Sequence, residues 1–411
     1  MNYSKLIIFT IISLIITDSL SYIGSVGALN LGNSTLISLL LSYISIAILI
    51  FIAYNENFGN YEIPKSIQNL FKLWLFWNIF NLIRGAFLAS DYWEWKDLLF
   101  SGISFSLIPL AFFLGKNILI AQTIFRYTIK YLFLFGFVFI PLTLVTNEEL
   151  YSRLMIPISL FILFIPFLKL KWKVLVLIVA TISIFMVIGF RSNIIKITFS
   201  AILLISYYFR NYISRNWLRF ANLSMFAVPI LLFSLAISGQ YNIFEELAKE
   251  EGYETLNREG EQENLMSDTR TFLYVEVLSS INHTEDWIIG KSAIGSYQSD
   301  WFTDDGGAMN GKRTGCEVGM LNILLRYGII GVFLYFLILF TVSRYAIINS
   351  SNYLAKMIGL FIAFRWTYSF VEEFTIFDLN FYFFWLSIGI VSSARFRNMS
   401  DNEIRNYFET I

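Results

Sequence analysis

Cysteine and histidine are nearly absent from this chain of 411 residues: each occurs once, as Cys316 and His283. One thiol excludes an intrachain disulfide and any cysteine-rich metal site. One imidazole leaves a Ser-His-Asp triad to be assembled around His283 alone, and no second histidine or HExxH spacing supports a zinc site. Charge is scarce as well, at 15% of residues, and 30 Lys and Arg balance 30 Asp and Glu. A zero net charge points to neither nucleic acid nor an acidic partner. Also missing is the period-two alternation over short segments that a membrane β-barrel requires.

Apolar residues fill the chain instead, with 56% hydrophobic and 18% aromatic residues and a mean hydropathy of +0.62. Hydrophobic runs of roughly 18 to 25 residues recur along most of its length, each long enough to cross a hydrocarbon core of about 30 Å as a helix. The pattern predicts an all-α polytopic membrane protein with about 12 transmembrane helices. The spans fall near residues 5–28, 34–54, 68–90, 98–115, 124–146, 150–168, 172–190, 191–209, 217–238, 318–343, 354–373 and 376–394. The first run reads as a helix rather than a signal peptide, because Asp18, Ser19 and Ser21 make no small-residue cleavage site. The run 172–209 is too long for one crossing, so a turn is expected near Arg191.

Short cytoplasmic loops carry the excess of Lys and Arg, and this orients the chain. Lys116, Arg126 and Lys130 fall on one side, with Lys169, Lys171 and Lys173, Arg210, Arg215 and Arg219, Arg344 and Lys356, and Arg395 and Arg397. The opposite loops hold Asp91, Glu94 and Asp97, Glu148 and Glu149, and Glu372 and Glu373, with Tyr92, Trp93 and Trp95 as interface anchors. Both termini are thereby expected in the cytoplasm. The chain divides into a membrane region at 1–238 with about nine helices, an acidic extracytoplasmic loop at 239–317, and a second membrane region at 318–411 with about three helices and a short cytoplasmic tail. Between Tyr241 and Val318 there are 16 Asp and Glu against 6 Lys and Arg, which suits the outer face. The stretch Glu245 to Glu263 is the most acidic part. Beyond it Ser267 or Asp268 can cap a helix in which Phe272, Val275, Leu278 and Ile281 recur at helical spacing. Gly290, Gly295, Gly306, Gly307, Gly311 and Gly315 then predict a turn-rich approach to the next span.

Charges inside spans are costly and usually face a cavity or a partner, which singles out Arg84, Arg153, Arg191 and Arg365. For Arg84 and Arg153 the plainer reading is snorkelling to the headgroups or pairing with Glu372 or Glu373. Arg191 lies in Gly189-Phe190-Arg191-Ser192-Asn193 at the outer start of a helix. There a guanidinium and unpaired helix N–H groups both attract phosphate. Arg270, by composition alone, reads as a solvated charge in an acidic segment. Glu317, opening the tenth span, is a candidate base, or else a carboxylate complementing a helix dipole. His283 reads as a surface residue, and Asn282-His283-Thr284 is a glycosylation sequon only in a host that modifies such loops.

Three stretches resemble the O-antigen ligase and polymerase superfamily, the Wzy-like proteins of bacterial polysaccharide assembly. They are Gly189-Phe190-Arg191-Ser192-Asn193-Ile194-Ile195, then Asp268-Thr269-Arg270 followed by Trp287-Ile288-Ile289-Gly290 and Gly295, and then Glu317 through the Leu-rich run to Gly328-Ile329-Ile330-Gly331. Local likeness covers roughly a third of the chain, and the remainder agrees in span count and loop placement. The resemblance implies a multi-pass protein of the bacterial inner membrane and substrates linked to undecaprenyl diphosphate. No metal site is recognisable in the sequence and no cofactor is expected, and the resemblance adds flippase and chain-length regulator proteins as further partners. Arg191 and Arg270 would stabilise the leaving diphosphate and Glu317 would activate the attacking hydroxyl, with Arg84 and Arg153 as additional substrate-binding cations. Ligases of this superfamily have a histidine where Glu317 stands, which favours a polymerase. An O-antigen-type ligase, a flippase or other transporter, and a sensor or scaffold are the alternatives. A transporter would be expected to show broken helices in corresponding halves.

Overall fold

The computed structural model describes residues 3–26, 34–57, 63–133, 136–143, 151, 154–185, 191–237, 254–256, 262–264, 271–299, 311–373 and 378–409. Of the described residues 82% are helical, and sheet is scarce among them. Among the described residues, four helices are long and apolar enough to cross a membrane: Leu36–Asn55, Tyr92–Gly115, Arg215–Leu235 and Gly319–Ile348. Ser4–Val26 and Lys65–Leu88 are of similar length, while Asn193–Tyr208 and Leu379–Ser392 are shorter apolar helices. Helices Leu170–Phe185 and Arg191–Tyr208 are separate elements, and residues 186–190, next to the turn expected near Arg191, lie outside the described residues.

The expected spans at 124–146 and 150–168 look different from single straight helices. Helix Ile118–Tyr127 runs into a π-turn at Thr128–Phe133, Gly136–Thr143 contains Pro141, Ile158–Ile162 follows Pro157, and Ile165–Phe167 is a 3-10 turn holding Pro166. Proline supplies no N–H and clashes with the carbonyl a turn earlier, so each one shortens or bends its segment. Irregular backbone at membrane depth is tolerated only where protein surrounds it. Leu154, Met155, Phe161, Leu163 and Phe164 accordingly have no exposed surface.

Two devices hold the bundle together. Glycines permit close backbone approach where Gly115 faces Gly389: a Cβ at Gly115 would stand 2.1 Å from the Leu386 carbonyl oxygen, and one at Gly389 would stand 2.2 Å from that of Phe112. Small residues serve this purpose in membranes because apolar burial alone gives no drive for helices to associate there. At the centre, Trp74 packs against Tyr335 at 5.6 Å and Tyr327 at 5.9 Å, and Tyr335 reaches Trp366 and Trp385 at 6.4 and 6.3 Å.

The two ends of the bundle differ. At one, residues 349–352 meet the C-terminal segment: Ser351 N–H donates to the Arg397 carbonyl at 2.8 Å, and Asn352 Nδ2 donates to the carbonyls of Phe396 and Met399. The expected tail is a structured piece, an amphipathic helix Asp401–Phe408. Its Phe408 ring lies 5.0 Å from Phe164 and 5.5 Å from Phe125. At the other end sit helices Thr271–Ser280 and Thr284–Ile289 and the antiparallel pair Ser296–Gln298 with Lys312–Thr314. This is the loop end of the bundle.

Candidate functional site

Helix Gly319–Ile348 bends at Gly328, whose φ of +66° and ψ of −171° are not helical. A break of this kind frees carbonyls from their bonds to the following turn, and buried carbonyls need new donors. They find them: Lys291 N–H donates to the Leu325 carbonyl at 2.8 Å, and Trp77 Nε1 donates to that of Tyr327 at 3.0 Å. The loop docks into the bend through two glycines. A Cβ on Gly328 would lie 2.4 Å from the Ile288 carbonyl oxygen, and one on Gly290 would lie 2.5 Å from the backbone of Arg326. Trp287-Ile288-Ile289-Gly290 and the Gly328 turn, which carry two parts of the family resemblance, are thus in direct contact.

Two arginines lock this joint. Arg84 Nη1 donates to Asn81 Oδ1 at 2.8 Å and to the Ile289 carbonyl at 2.9 Å, and its Nη2 donates to the Gly290 carbonyl at 3.1 Å. Arg326 Nη1 donates to the Ala293 carbonyl at 2.7 Å, and its Nη2 pairs with Asp97 at 3.2 Å. Arg84 therefore braces the loop with both terminal nitrogens. Tyr327, on the bundle side of the bend, shares a 3.0 Å hydrogen bond with Ser106.

Glu317 lies where the loop enters the bundle, half-buried, with Arg313 Nη2 donating to its Oε1 at 3.0 Å. The strand pair brings this about, because Arg313 stands opposite Tyr297 in register, and Arg313 Nη1 donates to the Tyr297 hydroxyl at 3.3 Å. Burial works against the Arg313 charge, but Tyr297 and Glu317 outweigh it and hold its pKa above the ordinary value. Burial likewise raises the Tyr297 hydroxyl and lowers the Lys291 ammonium, the latter against the pull of Asp286.

Glu317 is tied by its backbone to a second, deeper group. Glu373 N–H donates to the Glu317 carbonyl at 3.0 Å, and Met320 N–H donates to that of Ser369 at 2.9 Å. The Glu373 carboxylate, 2% exposed, receives Arg365 Nε on Oε2 at 2.7 Å and Arg365 Nη2 on Oε1 at 2.5 Å. Asn380 Nδ2 donates to Oε1 at 3.0 Å, and Lys196 Nζ stands 3.6 Å from it. Aromatic faces complete the enclosure: the Arg365 guanidinium lies 4.5 Å from the Phe384 ring centre and Lys196 Nζ 4.8 Å from that of Tyr368. A bidentate guanidinium, an amide and an ammonium around one carboxylate satisfy a buried charge that alone would be prohibitively costly.

Of the arginines singled out in the sequence, Arg84 and Arg365 are thus placed by their contacts. Arg191 opens helix Arg191–Tyr208, five residues before Lys196, or roughly 7.5 Å along the axis at helical rise. Arg153, Arg270, Ser267 and Asp268 fall outside the described residues. His283 is exposed, just before helix Thr284–Ile289. Lys196 was not singled out, although a lysine inside the apolar stretch from Ile194 to Tyr208 was a legible signal. Glu373 reads in the sequence as an outer-loop carboxylate and as an ion-pair partner for Arg84 or Arg153, not as the centre of a buried cluster. No family model, no curated protein and no solved structure matches this chain.

Proposed function

We propose that this protein is a polymerase of lipid-linked oligosaccharide repeat units, built on about twelve membrane spans, with the loop 239–317 on the extracytoplasmic side of a bacterial inner membrane. One observation carries the reading. The loop that resembles the polymerase family, the Arg313–Glu317 pair and the Lys196–Arg365–Glu373 cluster all meet at one end of the helix bundle. A charge-rich patch at the rim of an apolar bundle suits a substrate whose tail is lipid and whose linkage is a diphosphate.

In this reading, the acceptor hydroxyl oxygen of the incoming unit attacks the anomeric carbon of the growing glycan. The bond from that carbon to the diphosphate oxygen breaks, the hydroxyl proton passes to the Glu317 carboxylate, and undecaprenyl diphosphate leaves with the electron pair. Arg191 and Arg270 meet the leaving charge, as bidentate guanidinium donors do. Arg313 orients Glu317 through Oε1. Arg365, Glu373 and Lys196 form the rigid floor that fixes Glu317 against the bundle. Arg153 remains a substrate-binding candidate, whereas Arg84 serves by holding the loop in place.

The test is the size distribution of surface glycan and lipid-linked intermediates in a strain lacking the protein, complemented with wild type, Arg191→Ala, Arg270→Ala or Glu317→Ala. The expected result is loss of long chains with single repeat units retained, and no rescue by the arginine variants at normal membrane levels. Finished polymer left on the carrier lipid would indicate a ligase. Unextended units trapped on the cytoplasmic face would replace both readings with a flippase.

A further inference from the structure

At the end of the bundle away from the loop, a cleft of about 380 Å³ opens between helix Arg215–Ile237 and the last turns of helix Gly319–Ile348. Arg219 and Arg344 face it from the two helices, Asn222 lies between them, and Leu223, Phe340 and Ile347 form apolar walls. The polar floor is fixed: Asn222 is 3% exposed, its Nδ2 donates to Ser343 Oγ at 2.5 Å, and Ser343 Oγ donates to the Gly359 carbonyl at 2.6 Å. Neither guanidinium is so committed. Arg219 makes a 3.4 Å hydrogen bond to Asn216, Arg344 lies 5.8 Å from the Phe340 ring centre, and no carboxylate among the described residues pairs with either.

The surroundings decide which anion fits. Trp217, Phe220 and Leu223 on the same helix are 65%, 62% and 55% exposed, which is the pattern of a surface facing lipid, with aromatics at headgroup level. A free inorganic anion would leave these walls uncovered, whereas an amphiphile meets both demands, with its phosphate on the arginines and its chain along Leu223 and Phe340. We propose that this cleft binds an anionic glycerophospholipid, with Arg219 and Arg344 clamping the headgroup phosphate. The site is separate from the loop end and stands whether or not the polymerase reading does.

The test uses the full chain, purified in neutral detergent and depleted of lipid, then examined by native mass spectrometry after addition of phosphatidylglycerol, phosphatidylcholine or inorganic phosphate. The expected result is one phosphatidylglycerol retained per chain, in preference to phosphatidylcholine and undisturbed by millimolar phosphate. Its retention should fall by about tenfold or more in Arg219→Gln/Arg344→Gln, since two charge-assisted contacts are lost. Both side chains are exposed, so the variant should melt with the wild type. Arg215→Gln, which removes an exposed charge outside the cleft, should bind as wild type. Equal retention in the double variant, equal retention of phosphatidylcholine, displacement by phosphate, or a loss as large in Arg215→Gln would each overturn the proposal.

Discussion

Glu373 illustrates how one side chain holds incompatible charges inside an apolar setting. It accepts hydrogen bonds from Arg365 and Asn380 and forms an ion pair with Lys196, all nearly buried. Removing one partner of such a group leaves the others uncompensated, at a cost of about 3–5 kcal/mol. Glu373→Gln should therefore lower the thermal midpoint of the purified protein sharply, and Glu373→Gln/Lys196→Met should recover part of the loss by removing one stranded cation. A double variant no more stable than the single one would mean that Lys196 is not coupled to Glu373. The sequence made Arg365 and Glu373 visible as charges in and beside a span. It did not make their pairing legible, because the seven residues between them leave open whether the chain folds back to join them or points them apart.

At the scale of elements, the decisive feature is the joint between the loop and helix Gly319–Ile348. Gly328 occupies a positive φ and has no room for a Cβ, so Gly328→Ala combines about 1–3 kcal/mol of backbone strain with a clash against Ile288. The expected outcome is undocking of residues 284–295, seen as faster proteolysis of the loop while the bundle resists. The Gly-Ile-Ile-Gly string was legible as a motif, but its work as a hinge socket was not, since that depends on a second glycine 38 positions earlier, Gly290. Hydropathy located the long helices but could not show the breaks between 124 and 168, where Pro141 lies inside one short helix and Pro157 and Pro166 accompany short buried turns.

The C-terminal helix Asp401–Phe408 gives an element whose stability depends on pH. Ser400 Oγ accepts from Glu403 N–H, and the Glu403 carboxylate accepts from Ser400 N–H at 2.7 Å and from its hydroxyl at 2.9 Å, a reciprocal cap. These bonds, the backbone one first, hold the Glu403 pKa below the ordinary glutamate value. A carboxyl with a depressed folded-state pKa contributes stability above its unfolded value, and that contribution disappears as pH falls through the folded one. Hydrogen exchange of the amides at 401–408 should therefore be more protected near neutral pH than at about pH 3, after correction for intrinsic rates. Ser400→Ala should remove most of that difference, together with about 1 kcal/mol of local stability. Unchanged protection in the variant would show that Ile404 and Phe408, both buried, hold the helix without its cap.

For the molecule as a whole, packing keeps the loop charges that the sequence assigns to opposite sides at opposite ends of the bundle, with cations paired to the carboxylates at the loop end. Asp97, Glu317 and Glu373 gather at the loop end, while Arg210, Arg219, Arg344 and Arg397 gather near the C-terminal helix and the cleft. Helical crossings alternate ends, so a basic residue misassigned to one loop would have disturbed this partition. Sequence thus sorted these loop charges into two groups that the bundle keeps at opposite ends, and the positive-inside bias predicts which of those ends faces the cytoplasm. The partition predicts accessibility in cells. In a Cys316→Ser background, Ser279→Cys, exposed on helix Thr271–Ser280, should react with a membrane-impermeant maleimide in intact cells. Asn349→Cys, exposed at the opposite end, should react only after permeabilisation. The reverse pattern would put the loop in the cytoplasm, where units linked to the outer leaflet never arrive, and would remove the polymerase reading while leaving the fold untouched. Labelling of both sites in intact cells would mean instead that the chain does not span the membrane between them, and the charge partition would then describe a bundle without a bilayer.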